Sequence, residues 1–161
     1  MNIAEDFETR LFRKTDLDQV IKINFSCLPE NYTQFFFLEL YYRFPKSFIV
    51  ATVDEVVVGY IMCRIERGFS EMRKFKLIGK AHIVSIAVLP EYRRKGVGNA
   101  LVTKALEGMK EYNVNECYLE VRVSNLSAIN LYKKFEFEIV RKIGGYYKDF
   151  EDAYVMAKEI Q

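Results

Sequence analysis

Apolar residues recur with two different periods along this chain, and the order of the two periods limits the folds that it can adopt. Segments rich in β-branched residues, with the period of a strand, are interspersed with segments whose apolar residues lie three or four positions apart. The predicted order of elements is β-α-α-β-β-β-α-β-α-β-β. Because helix–strand alternation and runs of strands both occur, we expect an α/β fold with a mixed sheet and helices on both faces.

Turn residues mark the ends of several predicted strands. Asp54 and Glu55 separate two β-branched segments and predict a hairpin, and Pro90 ends the strand that precedes it. The predicted strands span residues 8–12, 47–53, 56–65, 80–88, 117–123, 139–147 and 153–158.

Helical spacing defines four further segments. In the first, Thr15 can cap the N-terminus, and Asp16 and Asp18 suit the positive end of the helix dipole. The other predicted helices span residues 34–42, 96–112 and 127–135. The apolar stripe of the first helix is predicted at Leu17, Val20, Ile21 and Phe25.

The length and the charge of the chain exclude several classes of protein. Its 161 residues correspond to one domain at roughly 100–200 residues per domain, so we expect a single domain over residues 1–161. With 24 basic and 22 acidic residues, the net charge of +2 is too small for nucleic-acid binding by bulk charge. Basic residues are nevertheless concentrated between Arg64 and Lys80 and again at residues 93–95, which predicts binding of small anions.

The cysteines and the N-terminus indicate a cytoplasmic, soluble protein. Cys27, Cys63 and Cys117 are far apart and form no Cys-x-x-Cys, so we expect buried free thiols rather than disulfides or a zinc site. The N-terminal segment is acidic and lacks the apolar centre of a signal peptide. No run of about 18 apolar residues occurs, so no membrane span is predicted.

Residues 84–101 combine a strand, a turn, three consecutive basic residues, two glycines and the start of a helix. The N–H groups at a helix N-terminus bind anions, and glycine lets an anion approach that backbone closely. Gly96 and Gly98, next to Arg and Lys side chains, therefore predict a phosphate or pyrophosphate site. The segment lacks the Gly-Lys-Ser/Thr of a Walker loop and the third glycine of the dinucleotide fingerprint. On spacing alone, a solvated basic turn before a helix remains the alternative.

The same segment resembles the acetyl-CoA signature of the GNAT acetyltransferase superfamily, because Arg93-x-x-Gly96-x-Gly98 directly follows a strand. Leu-Glu-Val-Arg-Val-Ser-Asn at residues 119–125 resembles the second half of that domain. With Leu-Pro-Glu-Asn-Tyr at residues 28–32 and Gly-Tyr-Tyr at 145–147, the chain resembles the RimI and NatA catalytic-subunit branch of protein N-α-acetyltransferases over nearly its whole length. The resemblance implies a mostly antiparallel sheet that is splayed at its centre.

The resemblance implies acetyl-CoA as cofactor and assigns residues to it. Strand residues Ile86, Ala87 and Val88 would pair with the pantetheine amides like an added strand, and Asn125 would hydrogen-bond the cofactor arm. The backbone amides that would hold the CoA pyrophosphate belong to Arg94, Lys95, Gly96, Val97, Gly98 and Asn99.

The resemblance also implies residues for the chemistry. Tyr132 would lie near the sulfur and donate a proton to the departing thiolate, although a helix aromatic packed on the sheet is the alternative. The base, acting through water, could be Glu30, His82 or Glu120. The sole histidine, His82, shares a face with apolar residues, so a core histidine is the alternative for it. His82 and Glu120 are too few ligands for zinc, and no functional metal is expected.

Two tyrosine-bearing loops would enclose the first residues of a peptide. Glu30 and Tyr32 lie on one of them, and Tyr146 and Tyr147 lie on the other. The sequence departs from the family at Glu136, where relatives usually have Gly or Asn, and at Phe150, where many have Gly. We therefore expect the local turns to differ there.

These features together predict transfer of acetyl from acetyl-CoA to the N-terminal α-amine of proteins, by direct attack of the amine on the thioester. The alternatives are acetylation of lysine ε-amines or of a small amine, or a CoA-binding module without catalysis. The predicted partners are protein and nascent-chain N-termini, with a ribosome or an auxiliary subunit as further partners. Direct reading of nucleic acid and binding to a membrane are not expected.

Overall fold

The computed structural model describes residues 6–161. In this part of the chain the strands are β1 (Glu8–Leu11), β2 (Ile49–Val53), β3 (Val56–Phe69), β4 (Leu77–Val88), β5 (Glu116–Arg122), β6 (Glu138–Ile143) and β7 (Ala153–Glu159). The helices are α1 (Leu17–Cys27), α2 (Gln34–Arg43), α3 (Val97–Met109) and α4 (Leu126–Lys134). The predicted order of elements is confirmed.

The strands form one seven-stranded sheet in the order β1-β2-β3-β4-β5-β7-β6. The pairs β1–β2, β2–β3, β5–β7 and β6–β7 are antiparallel, whereas β4 and β5 are parallel. The parallel ladder covers only three residue pairs, from Lys80 opposite Glu116 to His82 opposite Tyr118. The predicted mixed, mostly antiparallel sheet is therefore confirmed.

The chain divides into two compact units, and β3 and β4 contribute residues to both. Of the described residues, the first unit contains 6–64 and 84–111, and the second contains 65–83 and 112–161. Each of the two units carries part of the residues that the sequence assigns to function.

In the first unit, helices cover both faces of the sheet. Gly59 and Tyr60 are neighbours on β3, so their Cβ positions point to opposite faces. A Cβ at Gly59 would lie 3.4 Å from Leu101 of α3, which places α3 on that face. On the other face, the Tyr60 hydroxyl bonds Asn24 of α1 and its ring meets Phe37 of α2 edge to face. The predicted placement of helices on both faces is confirmed in this unit.

The start of α1 differs from the prediction. Thr15 lies inside a 3₁₀ turn (Lys14–Asp16) and does not cap the helix. Asp16 instead accepts two hydrogen bonds from Arg10, at 2.7 and 2.8 Å, and one from the N–H of Arg13. Burial alone would raise the pKa of Asp16, but the bonds from Arg10 and Arg13 outweigh burial and hold this pKa below its ordinary value.

The predicted apolar stripe of α1 is wrong at its C-terminal end. Phe25, which was assigned to the stripe, is 75% exposed, whereas Asn24 is buried. At about 100° per residue, position 24 lies close to the direction of Leu17, and position 25 lies about 80° away from it. The buried stripe therefore runs from Leu17 through Val20 to Asn24, with Ile23 beside it.

The structure also tests the predicted end of β6 and the two positions, in the turn after α4 and in the β6–β7 connection, at which the sequence departs from the family. The strand predicted over residues 139–147 ends at Ile143, and Gly145 adopts a left-handed conformation with φ 61°. Glu136 and Phe150 have φ of 70° and 68°, so both side chains occupy a backbone region that favours glycine.

We predict that Gly108→Ala destabilises the protein, because α3 packs directly on the turn at Pro45–Ser47. A Cβ at Gly108 would lie only 1.8 Å from the carbonyl oxygen of Lys46. The backbone must move to relieve this overlap, which costs about 1–3 kcal/mol. Thermal and urea unfolding measure this loss, with the exposed Glu107→Ala on the same helix as the control. A Gly108→Ala protein as stable as the control would contradict the prediction.

Candidate active site

The loop between β4 and α3 has the backbone of an anion site. After a 3₁₀ turn (Pro90–Tyr92), Arg94 and Gly96 both adopt left-handed conformations, with φ of 61° and 85°. Gly96 is the N-cap of α3 and has no side chain that could accept from the first N–H groups of the helix. A Cβ at Gly96 would meet no atom within 4 Å, so the space above this backbone is open. The loop therefore leaves room for an anion against the N-terminus of a 13-residue helix.

Two side chains of this loop hold its shape. The Nε of Arg93 donates a 2.8 Å hydrogen bond to the carbonyl of Val88, where β4 ends. The ammonium of Lys95 lies 5.7 Å from the centre of the Tyr92 ring. Arg93, Arg94 and Lys95 are all exposed, so their charges act at the surface of the loop.

Asn24 organises the segment between α1 and α2, and the sequence reasoning missed it. Its Nδ2 donates to the carbonyl of Glu30 at 3.1 Å and to the Tyr60 hydroxyl at 3.0 Å. Its Oδ1 accepts from the backbone N–H of Tyr32 at 3.3 Å, and its backbone carbonyl accepts from Asn31. One buried amide thus fixes the backbone that carries both Glu30 and Tyr32.

The sequence contained an indication that Asn24 has a structural role. A polar residue seven positions after Leu17 lies on the apolar stripe, and a polar side chain placed there must find hydrogen-bond partners. The partners themselves could not be predicted, because Tyr60 lies 36 residues further along the chain.

The hydrogen-bond network of Asn24 extends through Tyr60 to Ser85 on β4. The hydroxyls of Tyr60 and Ser85 lie 2.7 Å apart in the core of the first unit. Burial raises the pKa of Tyr60 to about 12, although its bonds from Ser85 and Asn24 act the other way. Tyr60 therefore stays protonated and serves as a structural link between α1 and β4.

Tyr32 also reaches β4. Its hydroxyl donates to the carbonyl of Val84 at 3.4 Å, and its ring stacks on Phe36 with the ring centres 5.1 Å apart. Glu30, Tyr32 and the strand residues Ile86, Ala87 and Val88 all belong to the first unit.

In the second unit, His82 and Glu120 form a direct hydrogen bond. Nε2 of His82 lies 2.6 Å from a carboxylate oxygen of Glu120, and the two side chains are 12% and 18% exposed. Glu120 lies between the buried Leu119 and Val121 and projects to the other face of β5, as predicted. An imidazole held by a carboxylate can accept a proton at one nitrogen and keep its orientation.

The second unit also contains the carboxylate of Glu71, which forms ion pairs with a lysine and an arginine. Glu71 bonds Lys80 at 3.2 Å and Arg141 at 3.0 Å. Burial would raise the pKa of Glu71, but the bonds from Arg141 and Lys80 prevail and lower it below its ordinary value. Glu71 therefore stays ionised and holds the ammonium of Lys80 in place.

The two predicted residues on and before α4 have clear local roles. Asn125 is the N-cap of α4, and its Oδ1 accepts from the N–H of Ala128 at 3.2 Å. Tyr132 is 4% exposed and meets Phe137 edge to face, with the ring centres 5.6 Å apart. Their roles toward a cofactor remain predictions.

The β6–β7 hairpin is fixed by Arg122. Its guanidinium lies 4.1 Å from the ring centre of Tyr147 and forms ion pairs with Asp149 and Glu151, both at 2.9 Å. Tyr146 packs on Tyr147 nearly at right angles, with the ring centres 4.9 Å apart. The second unit therefore contains His82, Glu120, Asn125, Tyr132 and both hairpin tyrosines.

The three cysteines of residues 6–161 form no disulfide with one another. Cys63 and Cys117 are buried and Cys27 is half-buried, and burial raises the pKa of Cys63 to about 12. Across the same residues, no three His, Cys, Asp or Glu side chains cluster closely enough to hold a metal ion. None of these helices is long and apolar enough to cross a membrane.

Comparison with known proteins connects this geometry to a family. Residues 17–137 match the acetyltransferase (GNAT) family. The chain belongs to the GNAT acetyltransferase family. This confirms the resemblance seen in the sequence.

Individual relatives of this GNAT acetyltransferase cover nearly the whole chain. It is 54% identical to a protein of Sulfurisphaera tokodaii named N-alpha-acetyltransferase, over 96% of this chain and 93% of that one. Among solved structures, Ard1 from Thermoplasma volcanium has a TM-score of 0.81 at 35% identity, covering 96% and 98% of the two chains. Arabidopsis thaliana Naa50, in complex with the bisubstrate analogue CoA-Ac-MVNAL, has a TM-score of 0.80 at 29% identity, covering 94% and 97%.

We predict that Asn24→Ala destabilises this GNAT protein by about 2–3 kcal/mol and raises the KM for a peptide substrate. The substitution leaves the carbonyl of Glu30 and the N–H of Tyr32 without the amide that holds them. Asn24→Asp should destabilise the protein at least as much, because it buries a carboxylate whose oxygen would face the carbonyl of Glu30. Unfolding curves and steady-state kinetics test this, with Ser26→Ala on the same helix as the control. Unchanged stability and KM in Asn24→Ala would show that the amide does not organise this segment.

Proposed function

We propose that this GNAT enzyme transfers acetyl from acetyl-CoA to the α-amine at the N-terminus of proteins, with roles for the residues described above. The observation that carries this function is the high identity, over nearly the full length, to a relative named N-alpha-acetyltransferase. A complex of a structural neighbour with a CoA–peptide bisubstrate analogue supports the same pair of substrates.

The backbone of the loop before α3 is proposed to hold the pyrophosphate of CoA. The space above Gly96 is open, the first N–H groups of α3 have no capping side chain from Gly96, and basic side chains surround the loop. Acetyl-CoA supplies the acetyl group as a thioester, whose carbonyl carbon is open to attack by an amine. The backbone amides from Arg94 to Asn99 would hold the pyrophosphate, residues Ile86 to Val88 would pair with the pantetheine arm, and the Asn125 amide would bond that arm.

His82 and Glu120 are proposed to accept the amine proton through water. Their 2.6 Å hydrogen bond orients the imidazole, so it supplies a preset proton acceptor. A strong base is unnecessary, because a protein α-amine has a pKa of roughly 7.7–8.0, compared with roughly 10.4 for lysine. Glu30 is proposed to contact the peptide amine from the segment that Asn24 fixes.

Tyr132 is proposed to donate its hydroxyl proton to the sulfur as the thiolate leaves. Its burial and its edge-to-face contact with Phe137 hold the ring, so the hydroxyl has a defined position. The amine nitrogen forms the bond to the acetyl carbon while its proton passes through water to His82, and the carbon–sulfur bond breaks. The sulfur takes a proton from Tyr132, and the tyrosinate regains a proton from solvent before the next turnover.

The tyrosines Tyr32, Tyr146 and Tyr147 are proposed to bind the first residues of the peptide. Tyr32 is held by Phe36 and by the backbone of β4, and Tyr147 is held by Arg122. Aromatic rings fixed in this way present both an apolar face and a hydroxyl to a peptide.

We also propose that residues 1–161 are one acetyltransferase domain. The division between the two units runs through the continuous strands β3 and β4, and the family match over residues 17–137 crosses it. The proposed partners are nascent-chain N-termini, with an auxiliary subunit or the ribosome bringing them to the enzyme. Cys27, Cys63 and Cys117 are thiols and form no disulfide with one another, which supports action in the reducing cytoplasm.

We predict that Gly96→Val weakens binding of acetyl-CoA by about ten-fold or more. A β-branched residue at φ 85° is strained, and its side chain fills the space where the pyrophosphate must approach the backbone. Isothermal titration calorimetry measures the affinity. Gly145→Val is the matched control, because Gly145 also has positive φ and open space but lies outside this loop. Unchanged affinity in a folded Gly96→Val protein would reject the phosphate-loop assignment.

We predict a clear preference for a free N-terminus over an internal lysine. Three matched peptides test this: one with a free N-terminus and no lysine, one with a blocked N-terminus and a single lysine, and one with both amines free. Mass spectrometry of the products should show acetylation at the N-terminus of the first and third peptides. Equal or greater acetylation of the blocked, lysine-containing peptide would reject the N-α assignment.

Two variants test whether the tyrosines bind the peptide. Tyr32→Ala and Tyr147→Ala should each raise the peptide KM several-fold and leave the affinity for acetyl-CoA nearly unchanged. Tyr42→Ala, an exposed tyrosine of α2, is the control.

A further inference from the structure

Tyr118 is the cross-strand neighbour of His82, and the function described above gives it no role. The two residues are register partners in the parallel ladder between β4 and β5. Their side chains lie on the same face of the sheet, together with Lys80 and Glu120, because residues two apart on a strand share a face. Tyr118 is 8% exposed and belongs to a buried cluster with Val155 and Ala157.

The ring of Tyr118 lies flat against the imidazole of His82. The ring centres are 4.5 Å apart and the planes are inclined by only 6°. An imidazole stacked in this way cannot rotate about its Cβ–Cγ bond without driving a ring edge into Tyr118. The stacked plane is the one in which Nε2 lies 2.6 Å from Glu120.

Tyr118 is itself held on several sides. Its hydroxyl donates to the carboxylate of Glu66 on β3. The ammonium of Lys80 lies 4.2 Å from the centre of its ring, in cation–π contact. Lys80 is fixed in turn, since it donates to the carbonyl of Phe69 at 2.8 Å and to Glu71 at 3.2 Å. The ring is therefore a rigid support and not a mobile packing residue.

We propose that Tyr118 is a positioning residue for acetyl transfer, whose ring fixes the plane of the His82 imidazole so that Nε2 stays on Glu120 and the other ring nitrogen keeps a single orientation. The inference rests on the proposed role of His82 and Glu120 as proton acceptor. It adds that this acceptor is preorganised by stacking, with Lys80 and Glu66 as anchors of the stack.

The test uses the fact that the chain contains a single histidine. The imidazole signals in proton and nitrogen NMR spectra therefore come from His82 alone. In the unaltered protein, the ring current of Tyr118 should move the carbon-bound imidazole protons upfield, and the two nitrogens should show one tautomer. Imidazole signals at the positions of an unstructured peptide would overturn the proposal.

Three variants separate stacking from simple packing. Tyr118→Phe keeps the ring and should retain both the upfield signals and most of kcat. Tyr118→Leu removes the ring and should return the signals downfield and lower kcat about 10- to 100-fold, with the peptide KM and the acetyl-CoA affinity nearly unchanged. Tyr118→Met replaces the leucine variant if the latter does not fold. Equal losses of kcat in Tyr118→Phe and Tyr118→Leu, or normal kcat in the leucine variant, would overturn the proposal.

His82→Ala separates this inference from the function on which it rests. If Tyr118 acts through His82, the double variant His82→Ala/Tyr118→Leu should be no slower than His82→Ala alone. Further loss in the double variant would overturn the positioning role. Normal kcat in His82→Ala would reject His82 as proton acceptor and the positioning role with it, while the upfield signals would still report the stack.

Discussion

The three-residue parallel ladder between β4 and β5 is the constraint on which the second unit depends. It sets His82 opposite Tyr118, and with that register fixed, Glu120 follows two residues later on the same face. A shift of β5 by one residue would turn Tyr118 and Glu120 to the other face of the sheet, away from His82. Burial of Leu119 and Val121 on the opposite face therefore determines which residues can meet His82.

A buried network of charges and hydrogen bonds surrounds that ladder. Lys80 and Glu116 are 5% and 2% exposed, so each must have partners. Lys80 bonds Glu71 and a backbone carbonyl, whereas Glu116 accepts from Ser70 and from the N–H of Glu71. These contacts fix the connection between β3 and β4 as well as the stack beside His82, so the same groups serve stability and the proposed chemistry.

In the first unit, one buried amide has the corresponding role. Asn24 joins the segment that carries Glu30 and Tyr32 to Tyr60 of β3, whose hydroxyl pairs with that of Ser85 on β4. The helix that carries Asn24 was predicted from its apolar spacing, but Phe25 was wrongly assigned to the stripe in its place. The spacing of apolar residues predicts the buried face of a helix only to within about one residue. Which side chain at the edge of that face is buried depends on the residues that pack against it.

The sequence by itself determined the order of the elements, the hairpin at Asp54, the glycine-containing loop before α3 and the family, because each of these is encoded in residues close together in the chain. The tertiary structure decided which distant side chains meet. The bond between His82 and Glu120 joins residues 38 apart, and that between Asn24 and Tyr60 joins residues 36 apart. Such contacts depend on strand register and helix packing, which are set by burial over the whole fold, so neither composition nor local spacing contains them.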